Sequence, residues 1–183
     1  MKRLALLLCL ALAAGAACAA DIKMHRKQAG ELDKSGWTLA ASTEGRFSVR
    51  LPLKFNDFTV VDSDPNAAAA RTFTVGARSS ERIAFVATRI VYRKGAESAK
   101  LYYSRFEKGQ DLPAKPDSIT QRKVGSIPAV DVVLRKGDDL MYQRVVLLGA
   151  DLLMLTVETP KEHQASVQQL VPVFFDSLQV EAM

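Results

Sequence analysis

Only two cysteines occur in the 183 residues, and both, Cys9 and Cys18, precede Asp21. A chain cut after Ala19 or Ala20 would carry no thiol and no disulfide, so its stability rests on its core. Thiol nucleophiles and cysteine metal centres are excluded with them. Histidine is as scarce. His25 lies in a polar stretch and His163 in the first turn of an expected C-terminal helix, positions that suit surface roles better than catalysis. Aromatics make up 7% with a single Trp, which leaves little for base-stacking platforms or haem pockets. The patterns G-x-S-x-G, S-x-x-K, H-E-x-x-H, C-x-x-C, G-x-G-x-x-G and the P-loop are absent from the sequence, so neither a cofactor nor a familiar catalytic constellation is expected.

What is present begins with an address. Lys2 and Arg3 precede an unbroken apolar run from Leu4 to Ala14, and small residues continue to Ala20. That is the pattern of a secretory signal peptide over residues 1–20, too short to span a bilayer. The expectation is a periplasmic or secreted protein with no transmembrane segment after cleavage. An alternative is a lipoprotein anchored at Cys18, although Gly15-Ala16-Ala17 lacks the Leu-like residue such a site carries. Removal of Lys2 and Arg3 lowers the formal net charge from +5 to +3, too little for a nucleic-acid partner.

Residues 21–36 are polar, carry both signs of charge and show no apolar period, so a linker or frayed arm is expected there. A single domain follows over residues 37–183. Phe47, Val49 and Leu51 alternate with Ser48 and Arg50 and stop at Pro52, which reads as a strand with one buried face. Residues 71–77 and 82–92 also read as strands, the second apolar at both parities and therefore covered on both faces. Ala99, Tyr102, Tyr103 and Phe106 recur at helical spacing before Gly109, a helix with its left-handed stop. Runs at 119–124, 129–135, 140–148 and 152–158, separated by short turn-forming segments, predict an antiparallel meander. Thr159, Pro160 and Glu162 have the spacing of a capping box opening a last helix, with Phe174 on its apolar face and a bend near 168–172 set by Pro172.

Gly45-Arg46-Phe47-Ser48-Val49-Arg50-Leu51-Pro52, the Gly149 hairpin and Phe174-Phe175-Asp176-Ser177-Leu178 together resemble the PsbP-like superfamily, which includes Mog and the DcrB-like secreted bacterial proteins. The resemblance covers roughly residues 37–180. It implies an α+β fold in which an antiparallel β-sheet is covered by helices on both faces, an α/β/α sandwich. It also implies a binding or assembly factor rather than an enzyme, and it assigns no site residues.

Three groups of residues are candidates for chemistry. Asp62, Asp64 and Asn66 have the spacing that opens a calcium loop, but Ala67 and Phe73 stand where such a loop needs Gly and a closing Glu, which favours a plain turn. Arg89, Asp131 and Arg144 interrupt apolar strands, so they either form a buried ion network, with Asp131 between the two guanidiniums, or line a pocket for a carboxylate or phosphate. Arg93, Lys94 and Arg105 belong to the basic middle of the chain, where residues 71–145 hold fifteen basic and eight acidic side chains. These are expected to be exposed and to serve electrostatic attraction to an anionic partner, against the plainer possibility of a solvated surface. The expected function is non-enzymatic recognition of a protein partner or cell-envelope component. The alternative is a small anionic-ligand carrier, or an enzyme working with Arg and carboxylate groups.

Overall fold

The computed structural model describes residues 20–110 and 112–181; residues 1–19 of the expected signal peptide lie outside the described residues. The elements, in chain order, are β1 (Ala20–Ala29), β2 (Thr38–Ala41), β3 (Phe47–Leu51), β4 (Phe55–Asp62), β5 (Ala69–Arg78), β6 (Ala84–Tyr92), α1 (Ala96–Glu107), β7 (Pro116–Val124), β8 (Ile127–Lys136), β9 (Asp139–Leu148) and β10 (Asp151–Pro160). A short 3-10 turn, α2 (Gln164–Gln168), α3 (Leu170–Asp176) and β11 (Gln179–Val180) complete the chain. Eight strands form an antiparallel sheet in the order β1-β4-β5-β6-β10-β9-β8-β7, and β11-β3-β2 form a second sheet.

Local pattern explains most of these elements. β3 alternates buried and half-buried residues as expected. α1 ends where Gly109 takes φ 65°, with the Gly109 amide donating to the Phe106 carbonyl at 3.0 Å. The meander from β7 to β10 is antiparallel throughout, and it places β10 between β9 and β6. β6 and β10 are therefore interior strands with apolar side chains on both faces.

One face of the large sheet packs Phe85, Leu153, Leu155 and Val75 against Phe47, Val49 and Leu51 of the small sheet and against Val171, Phe174 and Phe175 of α3. The other face packs Val130, Val132, Val145 and Leu152 under Ala99 and Tyr103 of α1. Antiparallel sheet dominates. The expected sandwich with helices as the full outer layers is too simple, because the small sheet supplies much of the layer that helices were expected to fill.

Two local expectations fail, and one strand goes unforeseen, for identifiable reasons. Residues 20–29 are not a free arm but the edge strand β1, paired with β4 from Ala20–Asp62 to Ala29–Phe55. Its residues are nearly all exposed, so its side chains give no apolar period and only its backbone is committed. Thr159 and Pro160 are not a helix start. They remain in β10, opposite Leu140 and Asp139, and the Thr159 hydroxyl donates to the Pro160 carbonyl at 3.2 Å. Pro160, at φ −59° and ψ 152°, stays extended, and the 3-10 turn begins only at Lys161. β4 has no counterpart in the sequence reading, although Phe55, Asp57 and Thr59 alternate inward along it. The bend between α2 and α3 falls at Gln169, inside the expected window, and Phe174 is fully buried.

Candidate functional site

Asp131 and Arg144 face each other across β8 and β9, in one row that continues through Leu155, Ala87 and Val75 to Asp57. This row lies on the α3 side of the sheet. Arg144 donates from Nε to Asp131 Oδ1 at 2.7 Å and from Nη2 to Asp131 Oδ2 at 3.0 Å, a bidentate pair that fixes the guanidinium plane. Its Nη1 donates to Asp176 Oδ1 at the end of α3, at 2.8 Å, and its charge sits 4.9 Å from the centre of the Phe175 ring. Burial works against the charge of Arg144, but the bonds to Asp131 and Asp176 outweigh it and raise its pKa. Arg122 of β7 approaches the far oxygen of Asp131 at 3.5 Å. Together with Tyr142, Val171 and Pro172, these residues line a cleft of about 410 Å³ between α3 and the β7-β8-β9 part of the sheet.

Arg89 is not part of this network. β10 separates β6 from β9, so Arg89 stands two strands from Arg144, about 10 Å across the sheet. Its partner is Asp151, diagonal to it on β10: Nε donates to Oδ2 at 2.8 Å and Nη2 lies 2.7 Å from the same oxygen. Nη1 donates to the Gly45 carbonyl at 3.0 Å and so ties the large sheet to the turn before β3. Gly45 permits this approach, because a Cβ there would lie 2.7 Å from Phe47, Phe73 and Ser42 atoms. The expected triad thus divides into a pair at the cleft and a structural cross-link elsewhere.

Comparison with solved structures agrees with this architecture. The chain superposes on cyanobacterial PsbP from Synechocystis sp. PCC 6803 with a TM-score of 0.50 at 12% identity, covering 84% of this chain and 98% of that one. The fold is PsbP-like. It also aligns, at a TM-score of 0.40 and 13% identity, with LpqN, involved in cell envelope biogenesis of Mycobacterium tuberculosis, over 92% of this chain and 87% of that one. No family model and no curated protein matches the sequence.

Within this fold the basic candidates are scattered rather than gathered. Arg93 is exposed but committed, since its guanidinium donates to the Ala67 carbonyl at 3.1 Å and to the Asp62 carbonyl. It therefore fastens the turn between β4 and β5 that carries the calcium-loop spacing. Within that turn Asp62 accepts from the Asp64 amide and Asp64 from the Asn66 amide, both at 2.9 Å, which is turn chemistry. Lys94 is exposed, while Arg105 is half-buried beside the Tyr102 ring. No helix among the described residues is long and apolar enough to cross a membrane.

Sequence reasoning missed two further polar centres of the domain. Asp57 is fully buried and accepts from the Thr43 amide at 2.9 Å and the Thr43 hydroxyl at 2.5 Å, holding the β2–β3 connection. His25, expected on a free arm, packs on the edge strand with Nε2 2.9 Å from Thr59 Oγ1 and 3.8 Å from Glu44. In the sequence Asp176 stands out only as a member of the Phe174–Leu178 motif. Its place beside Arg144 follows from the packing of α3 and had no signal in the sequence.

Proposed function

We propose that the PsbP-like domain is a non-enzymatic binding or assembly factor of the bacterial cell envelope, exported by its N-terminal signal. Its partner is a protein or envelope component bearing anionic groups, held in the cleft beside Arg144. The cleft carries this reading, since it joins a guanidinium of fixed orientation and the exposed Arg122 to an apolar wall of Val171, Pro172 and Phe175. Fixed charge beside apolar surface gives orientation as well as affinity.

The test is capture from envelope extract with parent protein and with Arg122→Glu, whose side chain is 57% exposed and should tolerate reversal. A specific partner held by the parent, released by added salt and lost with Arg122→Glu supports the proposal. Equal capture by both proteins refutes the cleft as the site. The size of the cleft, within the usual range for small ligands, also favours testing the anionic-ligand carrier reading. A thermal shift with a small anion in place of protein capture would select it.

A further inference from the structure

The two carboxylates on Arg144 are held very differently. Asp131 projects from the sheet, takes the Nε and Nη2 side of the guanidinium with both oxygens, and has a side chain only 20% exposed. Asp176 reaches Nη1 alone, through one oxygen, from a side chain that is 72% exposed. It also sits in the last turn of α3, where the helix carbonyls disfavour negative charge. In this ion pair the guanidinium is largely buried but the carboxylate is mostly solvated, so water competes for the single Asp176 oxygen and weakens its hold. Asp131 is therefore the fixed orienting partner, and Asp176 is the replaceable one.

We propose that Asp176 occupies the place of a ligand carboxylate, and that this PsbP-like domain binds a peptide or acyl-amino-acid carboxylate attached to an apolar side chain by displacing Asp176 from Arg144. The inference rests on the cleft proposed above as the binding site and adds the chemistry of what enters it. Exchange of one carboxylate for another keeps Nη1 paired, and the released Asp176, already 72% exposed, turns into solvent where water and salt screen the extra negative charge. The Nη1–Nη2 end of the guanidinium can then receive both oxygens of the newcomer, while Asp131 keeps the Nε side. Arg122, 3.5 Å from Asp131, adds positive potential on the open side. The apolar group of the ligand rests on Val171, Pro172 and Phe175, contacts that Asp176 cannot supply itself. Asp176 thus sets a threshold: carboxylates without an apolar companion have no advantage over the resident one.

The test is a titration of 15N-labelled protein, residues 21–183, with N-acetyl-L-phenylalanine and with the uncharged N-acetyl-L-phenylalaninamide. The acid should shift amides of β8, β9 and α3, and Asp176→Asn should tighten its binding at least three-fold by removing the competitor. The amide should bind at least ten-fold more weakly to both proteins, and acetate should bind more tightly than to the parent once Asp176 is replaced. Asp176→Ala serves as a second variant, with amide dispersion reporting that each protein is folded. Equal affinity for acid and amide, or no tightening in either folded variant, overturns the displacement proposal. If capture of the envelope partner still depends on Arg122 in that event, the cleft survives as the site and only its chemistry is wrong. If neither probe shifts a cleft residue and capture ignores Arg122, both proposals fail.

Discussion

Arg89 and Asp151 form the most deeply placed ion pair described, with side chains 9% and 11% exposed. Arg89→Met would keep the apolar stem but remove two charge-assisted contacts to Asp151, at 2.8 and 2.7 Å, and the 3.0 Å bond to the Gly45 carbonyl. The Asp151 carboxylate would then be buried without its counter-charge. Breaking one side of such a pair costs about 3 to 5 kcal/mol. For a domain of this size each kcal/mol corresponds to about 2 to 4 °C, so the melting temperature should fall by about 6 to 20 °C. Asp151→Leu should cost a similar amount by stranding the guanidinium. The double variant should recover most of the loss, because neither charge is then buried alone, and the coupling should be about 3 kcal/mol by urea denaturation. Additive losses, or single losses below about 1 kcal/mol, would refute the view that this pair is a structural cross-link.

Phe174, fully buried and edge-on to Phe85 at 5.6 Å, should cost about 3 to 5 kcal/mol when replaced by Ala, read from denaturant midpoints. Val173→Ala on the same helix, at a position 41% exposed, should stay within about 0.5 kcal/mol. Hydrogen bonds from Ser35, then from the Trp37 amide, lower the Asp33 carboxyl to about 2. A depressed folded-state pKa means that the turn's stabilisation is complete above the ordinary carboxylate range and fades as pH falls through about 2. Carboxyl NMR titration checks this, and a midpoint near 4 would contradict it. Burial, then the nearby Glu107, raises the Tyr103 phenol to about 12, so its stabilising share is full below pH 10 and is lost as pH rises through about 12. Ultraviolet titration in which Tyr103 ionised near 10 would overturn that placement. Arg93→Ala should cost about 1 kcal/mol through the 62–67 turn, whereas Lys94→Glu should leave thermal stability unchanged.

The sequence by itself determined the elements whose signal is local. Alternation marked β3, the helical spacing of Tyr102, Tyr103 and Phe106 marked α1, and Gly109 marked its end, because backbone period and left-handed φ are properties of neighbouring residues. The short turns of the β7–β10 meander were legible for the same reason. The resemblance carried by Gly45–Pro52, the Gly149 hairpin and Phe174–Leu178 led to the PsbP-like fold but not to the small sheet that shares a layer with α3, and Gly45 is a point of close packing between the two sheets.

Tertiary structure alone decided everything that depends on strand order. Because β10 inserts between β6 and β9, Arg89 meets Asp151 and not Asp131, and no spacing along the chain reports that insertion. β1 was invisible because an edge strand is held through its backbone while its side chains face water. Thr159-Pro160-Glu162 satisfied the local rule for a helix start, yet pairing with β9 held the first two residues in the sheet. Asp176 became a partner of Arg144 only through the docking of α3 on the sheet. Hydrogen bonding along a chain obeys its neighbours, but charge pairing obeys distance, and distance is set by the whole fold.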